Sequence, residues 1–96
     1  MALRPLTDAE VAARIQELAG WEVIGASLHR ELDLGDFVTA WGFMNQVALL
    51  AEKADHHPEW SNVYGRVVID LTTHEAGGLS ENDFALAKAI DRILAD

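Results

Sequence analysis

Apolar and polar positions alternate along this chain with two different periods, and each change of period marks an element. Val11, Ile15 and Leu18 recur at helical spacing. Thr7 stands ahead of this run with Glu10 three residues later, the arrangement of a capping box, and Leu6 is placed to staple against Val11. Gly20 is the expected stop, because glycine takes left-handed backbone without strain. The period then drops to two. Residues 21–24 read as a short strand, Gly25-Ala26 as a turn and residues 27–34 as a second strand. Leu28, Leu32 and Leu34 share one face, interrupted by Arg30, while His29, Glu31 and Asp33 share the other.

Asp36 can cap the next helix, predicted over residues 37–54. Phe37, Trp41, Met44, Ala48 and Ala51 form an apolar stripe, widened by Val38 and Val47, that is expected to pack in the core. Pro58 disfavours helical backbone at His57, so this helix should stop before it. Residues 60–63 and 67–73 read as a second pair of strands, with Tyr64-Gly65-Arg66 at the turn. Val67, Ile69, Leu71 and Thr73 point one way; Val68, Asp70, Thr72 and His74 point the other if the strand stays regular. Gly77-Gly78 is a loop. Ser80 caps a last helix with Asp83 three residues on, Leu79 staples to Phe84, and Phe84, Ala87, Ile90 and Leu94 lie inside.

The order α-β-β-α-β-β-α predicts an α+β fold, a four-stranded antiparallel sheet with three helices packed on one face. The polar face and the edges of the sheet are then left for a partner subunit. Residues 1–96 are expected to form one domain. A chain this small buries a modest fraction of its surface, so a homo-oligomer, a dimer or tetramer, is expected.

Charge and composition narrow the partners. The net charge of -9, with only seven scattered basic residues, argues against direct binding to nucleic acid or an anionic membrane. The absence of cysteine rules out disulfides, a thiol nucleophile and a thiolate metal site. The start lacks the pattern of a signal peptide, and no apolar run nears the roughly 18 residues of a membrane span. A soluble, cytoplasmic protein is the expectation. No glycine-rich phosphate loop, dinucleotide fingerprint or nucleophile elbow is present.

The candidate chemistry lies in the segment Asp55-His56-His57-Pro58-Glu59-Trp60 and in His74. Histidine titrates nearest neutrality, so a cluster of imidazoles points to proton transfer or metal binding. The start of the third strand and the end of the fourth lie side by side in a tight hairpin, which carries His74 toward residues 56–60. Glu52, Asp55 and Glu75 are candidates to orient the rings, and Trp60 or Tyr64 to wall a flat ligand. A three-imidazole metal site is the competing reading. Its spacing differs from that of a metal-binding helix, and adjacent residues seldom point at one ion. His29, alternating with acidic residues, reads as solvated or at an interface.

The run AEKADHHPEWSNVYGRVVIDLTTHEAGGLSENDFALAKAID, residues 51–91, closely resembles the pterin-4a-carbinolamine dehydratases, a family that in animals also serves as a dimerization cofactor of a homeodomain transcription factor. The likeness extends upstream through Ala40-Trp41-Gly42-Phe43-Met44, Gly20-Trp21 and the opening LTDAEV. Leu32, Leu34 and Gly65 depart from the residues common in the family, as packing or turn changes. The resemblance implies dehydration of a 4a-hydroxytetrahydropterin to the quinonoid dihydropterin. That step would recycle the pterin of aromatic amino acid hydroxylases, with no metal or organic cofactor. It implies His56, His57 and His74 as the acid–base set; we expect His57 and His74 to be the proton-transfer pair, with His56 binding or assisting. Asp55, Trp60, Thr72, Thr73 and Glu75 would be substrate-binding. A non-catalytic dimerization or assembly partner of the same fold is the alternative; the intact histidine set argues against an inactive relative.

Overall fold

The computed structural model describes residues 3–95. The capping box forms: Glu10 N–H donates to Thr7 Oγ1 at 3.2 Å, and Thr7 N–H to Glu10 Oε1 at 2.9 Å. The helix it opens, α1, spans Asp8–Ile15 and ends short of Gly20. Past Ile15 the backbone tightens, with Glu17 N–H bonding to Arg14 O and Leu18 N–H to Ile15 O. This tuck buries Leu18 before Gly20 turns the chain in left-handed conformation (φ 87°).

β1 (Glu22–Ile24) and β2 (Ser27–Asp33) make the first hairpin, and β3 (Glu59–Val63) and β4 (Arg66–Leu71) the second. α2 (Phe37–Ala54) links the hairpins and α3 (Glu81–Ala95) follows them. The four strands form one antiparallel sheet in the order β1-β2-β4-β3, so β1 and β3 are its edges. The three helices lie on one face. Leu28, Val67, Ile69 and Leu71 of that face are fully buried, in one cluster with Met44 and Val47 of α2 and Phe84 and Ile90 of α3. Each such side chain contributes about 1.5–3 kcal/mol by leaving water. Arg30 belongs to the same face. Its guanidinium lies 5.8 Å from the Trp21 ring centre and donates to Asp91 Oδ1 of α3 at 2.8 Å, where Trp21 Nε1 also donates. The cation that breaks the leucine pattern is thus paired beneath α3.

α2 departs from expectation in its orientation. Its buried face is Ala40, Phe43, Met44, Val47 and Ala51, while Phe37, Val38, Trp41 and Ala48 are exposed. The Phe37/Trp41/Met44 stripe is therefore not core packing as a whole. Phe37 and Trp41 stack on each other at 6.1 Å on the outside. Two rows of apolar residues run along this helix, and periodicity alone cannot choose between them. The sheet chooses, by offering Val67, Ile69 and Leu71 to only one.

The second hairpin is held at its tip. Gly65 lies against the β2–α2 connection, where a Cβ would come within 2.8 Å of the Gly35 carbonyl carbon, and Leu34 N–H bonds to Gly65 O at 2.8 Å. With the tip held, the register runs Val63↔Arg66 to Glu59↔Asp70. β4 ends at Leu71, so His74 does not continue its polar face. It opens a short 3₁₀ turn, His74–Ala76. The ladder runs out because β3 begins opposite Asp70 and the pairing of β2 with β4 ends at Leu28↔Leu71. Thr73 O then accepts from Ala76 and Gly78 N–H and closes the turn.

Candidate active site

The histidines gather where α2 ends. Asp55 takes left-handed backbone (φ 52°, ψ 42°), and its N–H and that of His56 turn back to bond the carbonyls of the last helical turn. For a non-glycine residue this conformation costs about 1–2 kcal/mol, least for Asp and Asn. The turn sends His56 inward and His57 outward. His56 is 8 % exposed, whereas the His57 side chain is 58 % exposed and that of His74 81 %.

Each of these rings meets a carboxylate through Nε2. His56 pairs with Asp83 Oδ1 at 2.6 Å, His57 with Glu52 Oε1 at 2.7 Å and His74 with Glu59 Oε1 at 3.2 Å. An ionised carboxylate can only accept, so the neutral ring carries its hydrogen on Nε2 and leaves Nδ1 with a lone pair. In all three pairs Nδ1 is thus the ring nitrogen left without a carboxylate partner.

The His56 pair rests on a buried network. Asp83 is fully buried at the start of α3. Its Oδ2 accepts from Thr73 Oγ1 at 2.8 Å and from Ser80 N–H at 2.9 Å. Thr73 Oγ1 and Ser80 Oγ are 2.7 Å apart, and Asn82 N–H donates to Ser80 Oγ at 3.2 Å. No buried side-chain polar atom among the described residues lacks a partner. The residue that caps α3 is therefore also the residue that holds His56.

Asp55, His56, His57, Thr72, His74 and Glu75 line one cleft of about 470 Å³, together with Asn82. Thr72 is fixed there by its hydroxyl, which donates to Ala26 O at 2.6 Å. Two residues expected as ligand contacts are placed elsewhere. Thr73 points to the helix side and is fully buried, because it alternates with Leu71. Trp60 lies opposite Ile69, on the helix-covered face, and packs against the core. Tyr64, the other candidate wall, stands 81 % exposed at the far tip of the hairpin. The cleft accordingly has no aromatic wall among the described residues, and its flat surfaces are the imidazoles.

Of the three carboxylates considered for orienting the rings, only Glu52 does so. Glu59 and Asp83 take the places expected of Asp55 and Glu75. Asp83 had a signal in the sequence: it lies at helical spacing with Ala87, Ile90 and Leu94, an acid on a buried stripe. Among the described residues no group of three or more His, Asp or Glu is arranged to hold a metal ion. His29 stands apart on the outer sheet face, between Glu31 (3.0 Å) and Asp70 (2.8 Å), which together raise its pKa above the usual histidine value.

Three carboxylate-backed histidines at the end of a helix-backed antiparallel sheet mark the site of a small α+β protein. The comparisons with known proteins agree on its kin. Residues 4–93 match the family model described as pterin 4 alpha carbinolamine dehydratase, and the chain belongs to that family. It is 51 % identical to a protein of Novosphingobium aromaticivorans over 98 % of this chain and 100 % of that one. It is 48 % identical to one of Solibacter usitatus over 94 % and 95 %. Both carry the name "Putative pterin-4-alpha-carbinolamine dehydratase". The crystal structure of a transcriptional coactivator/pterin dehydratase from Brucella melitensis superposes with a TM-score of 0.90 at 41 % identity, covering 94 % of this chain and 98 % of that one. A pterin dehydratase-like protein identified as a RuBisCO assembly factor in the alpha-carboxysome shares the fold, with a TM-score of 0.62 at 22 % identity over 76 % of this chain and 84 % of that one.

Proposed function

We propose that this chain dehydrates a 4a-hydroxytetrahydropterin to the quinonoid dihydropterin by histidine acid–base catalysis, recycling the pterin of aromatic amino acid hydroxylases in the cytoplasm. The observation that carries the reading is the set of three carboxylate-backed imidazoles around one cleft. A neutral ring takes the N5 proton through Nδ1. The electrons of the N5–H bond become the N5=C4a double bond, and the C4a–O bond breaks. A protonated ring gives its proton to the departing hydroxyl, and water leaves. Only protons move and one C–O bond breaks, so neither an electron carrier nor a metal is needed. Such catalysis contributes about 10²–10⁴-fold.

His57 and His74 are assigned as the proton-transfer pair, being the two rings open to the cleft. His56, locked by Asp83, positions the ring. Asp55, Thr72 and Glu75 line the cleft where the polar edge of a pterin would lie. Thr73 supports the site from below, through Asp83, and Trp60 by seating β3 on the core. The deciding assay follows 4a-carbinolamine dehydration directly, with and without chelator. A clear acceleration that chelator leaves intact is expected. No acceleration, or its loss to chelator, would overturn the assignment.

A second role, as a self-associating or assembly protein, is favoured by the exposed face of α2. Phe37 and Trp41 are each about half exposed, and Val38 and Leu49 more so. No Lys, Arg, Asp or Glu interrupts residues 37–51. We assign this face to a second copy of the chain, within the homodimer or homotetramer expected for its size. Sedimentation of Trp41→Glu should show a smaller particle than the wild type; an unchanged mass rejects the assignment.

A further inference from the structure

A second hollow abuts the histidine cleft, between the end of α2 and the start of α3. It measures about 340 Å³, and Leu50, Ala85, Leu86 and Ala89 form its walls. It shares Ala54, His56 and Asn82 with the cleft, so the two are parts of one depression with contrasting linings. The cleft is built of imidazoles, carboxylates and a threonine; the hollow is aliphatic. A group attached to a ring in the cleft is therefore within reach of it.

Size and charge indicate what that group would be. A dry cavity of about 150 Å³ is enough for benzene, so this one accepts an aryl ring with its linker. A short hydroxylated chain would set its hydroxyls against alanine and leucine, losing water without gaining partners. Lys53 stands at the rim. Arg4, Arg14, Arg30, Arg66 and Lys88 are in ion pairs, whereas Lys53 and Arg92 have no carboxylate partner among the described residues. Only Lys53 of these two borders the hollow beside the histidines. The unpaired ammonium at the rim favours an anionic end group locally, against the repulsion of a chain of net charge -9. The Asn82 side-chain amide, on the shared wall, has no partner among the described residues and offers its NH2 donors and its carbonyl acceptor to the junction.

We propose that this hollow receives the substituent of the pterin ring, and that it selects an apolar, aryl-sized arm ending in an anionic group over a short hydroxylated chain. The inference rests on the dehydration proposed above. Its test compares two 4a-hydroxytetrahydropterins, one with an aminobenzoylglutamate arm at C6 and one with a methyl group. The full-length chain is assayed as wild type, Ala85→Trp and Lys53→Glu. Ala85 and Lys53 are exposed, so both variants should fold. The readout is the ratio of kcat/KM for the long-armed substrate to that for the methyl one. Ala85→Trp, which fills the hollow, is expected to lower it about tenfold through KM. Lys53→Glu is expected to lower it about fivefold, and less at high salt. Fluorescence titration with the matching 7,8-dihydropterins should show the same preference without turnover. A ratio within twofold of wild type in both variants overturns the inference, and so does a change in sedimentation by Ala85→Trp with the ratio intact, which would give the hollow to a second copy. If the wild type dehydrates neither substrate, the proposed reaction falls too; if it dehydrates both with an insensitive ratio, only this inference does.

Discussion

His56 and His57 are adjacent in the chain, yet one is buried against a carboxylate of α3 and the other stands in solvent against the last turn of its own helix. The pairing chemistry is the same in both, Nε2 against a carboxylate oxygen. The surroundings decide what each pair is worth. Around His56 and Asp83 water is excluded, and every partner lost leaves a polar group stranded. Around His57 and Glu52, as around His74 and Glu59, water can replace either partner, and the pair contributes about 0.2–1 kcal/mol. The site thus has one buried ring held in place and two exposed rings, and the mechanism proposed above gives the proton transfers to the exposed two.

The sharpest way to break this division is to remove the exposed rings. His57→Ala and His74→Ala should each lower turnover of the carbinolamine by about 10²–10⁴-fold. Their unfolding free energies from urea denaturation should stay within about 0.5 kcal/mol of wild type. Near-normal turnover by both would remove them from the chemistry. Asp83→Ala should do the reverse to stability. It strands His56, Thr73 and Ser80 and should cost about 3–5 kcal/mol in chemical denaturation. A loss below 1 kcal/mol would mean that the buried network is not what holds His56.

Smaller effects sharpen the comparison. Gly65→Ala forces a methyl group toward the Gly35 backbone and should cost about 1–3 kcal/mol. Hydrogen exchange should then speed up in β3 and β4, loosening the join that brings Glu59 to His74. Unchanged protection in this hairpin would show that the tip does not set the register. The smallest effect belongs to His29, an ion pair outside the cleft. Glu31 and then Asp70 raise its pKa, and Glu22 faces it across β1. Its charged form therefore favours folding. That contribution is complete below the unfolded histidine value near 6.5 and is lost as pH rises through the raised folded value. His29→Gln should remove under about 1 kcal/mol of stability at pH 6 and almost none at pH 9, measured by denaturation at both. A larger loss at pH 9 would reverse the sign assigned to this pair.

How far the chain can be read unaided depends on the range of the interaction. The element order, the capping box at Thr7 and the stop of α2 before Pro58 follow from residues within a few positions of one another. So do the turn at Gly65 and the alternation that buries Thr73. α1 ends before the stop expected at Gly20, because the chain tightens after Ile15, a change that the glycine signal does not reveal. Trp60, aromatic and close in sequence to the histidines, reads as a cleft residue, while its parity with Ile69 seats its side chain on the helix side. The stripe through Phe37 and Trp41 reads as the core face of α2, but the row through Ala40, Phe43 and Val47 is equally apolar and is the one buried.

By itself the sequence determined which chemistry was available: three imidazoles, a surplus of carboxylates and no thiol, set at the end of a helix and the end of a hairpin. Tertiary structure decided which carboxylate each ring would meet. Glu52 reaches His57 over five positions, but Glu59 and His74 are fifteen apart and His56 and Asp83 twenty-seven. No local period spans such distances. They close only when β3 pairs with β4 and α3 docks beside the end of α2, and the burial that follows encloses one of three similar pairs and leaves the other two in solvent.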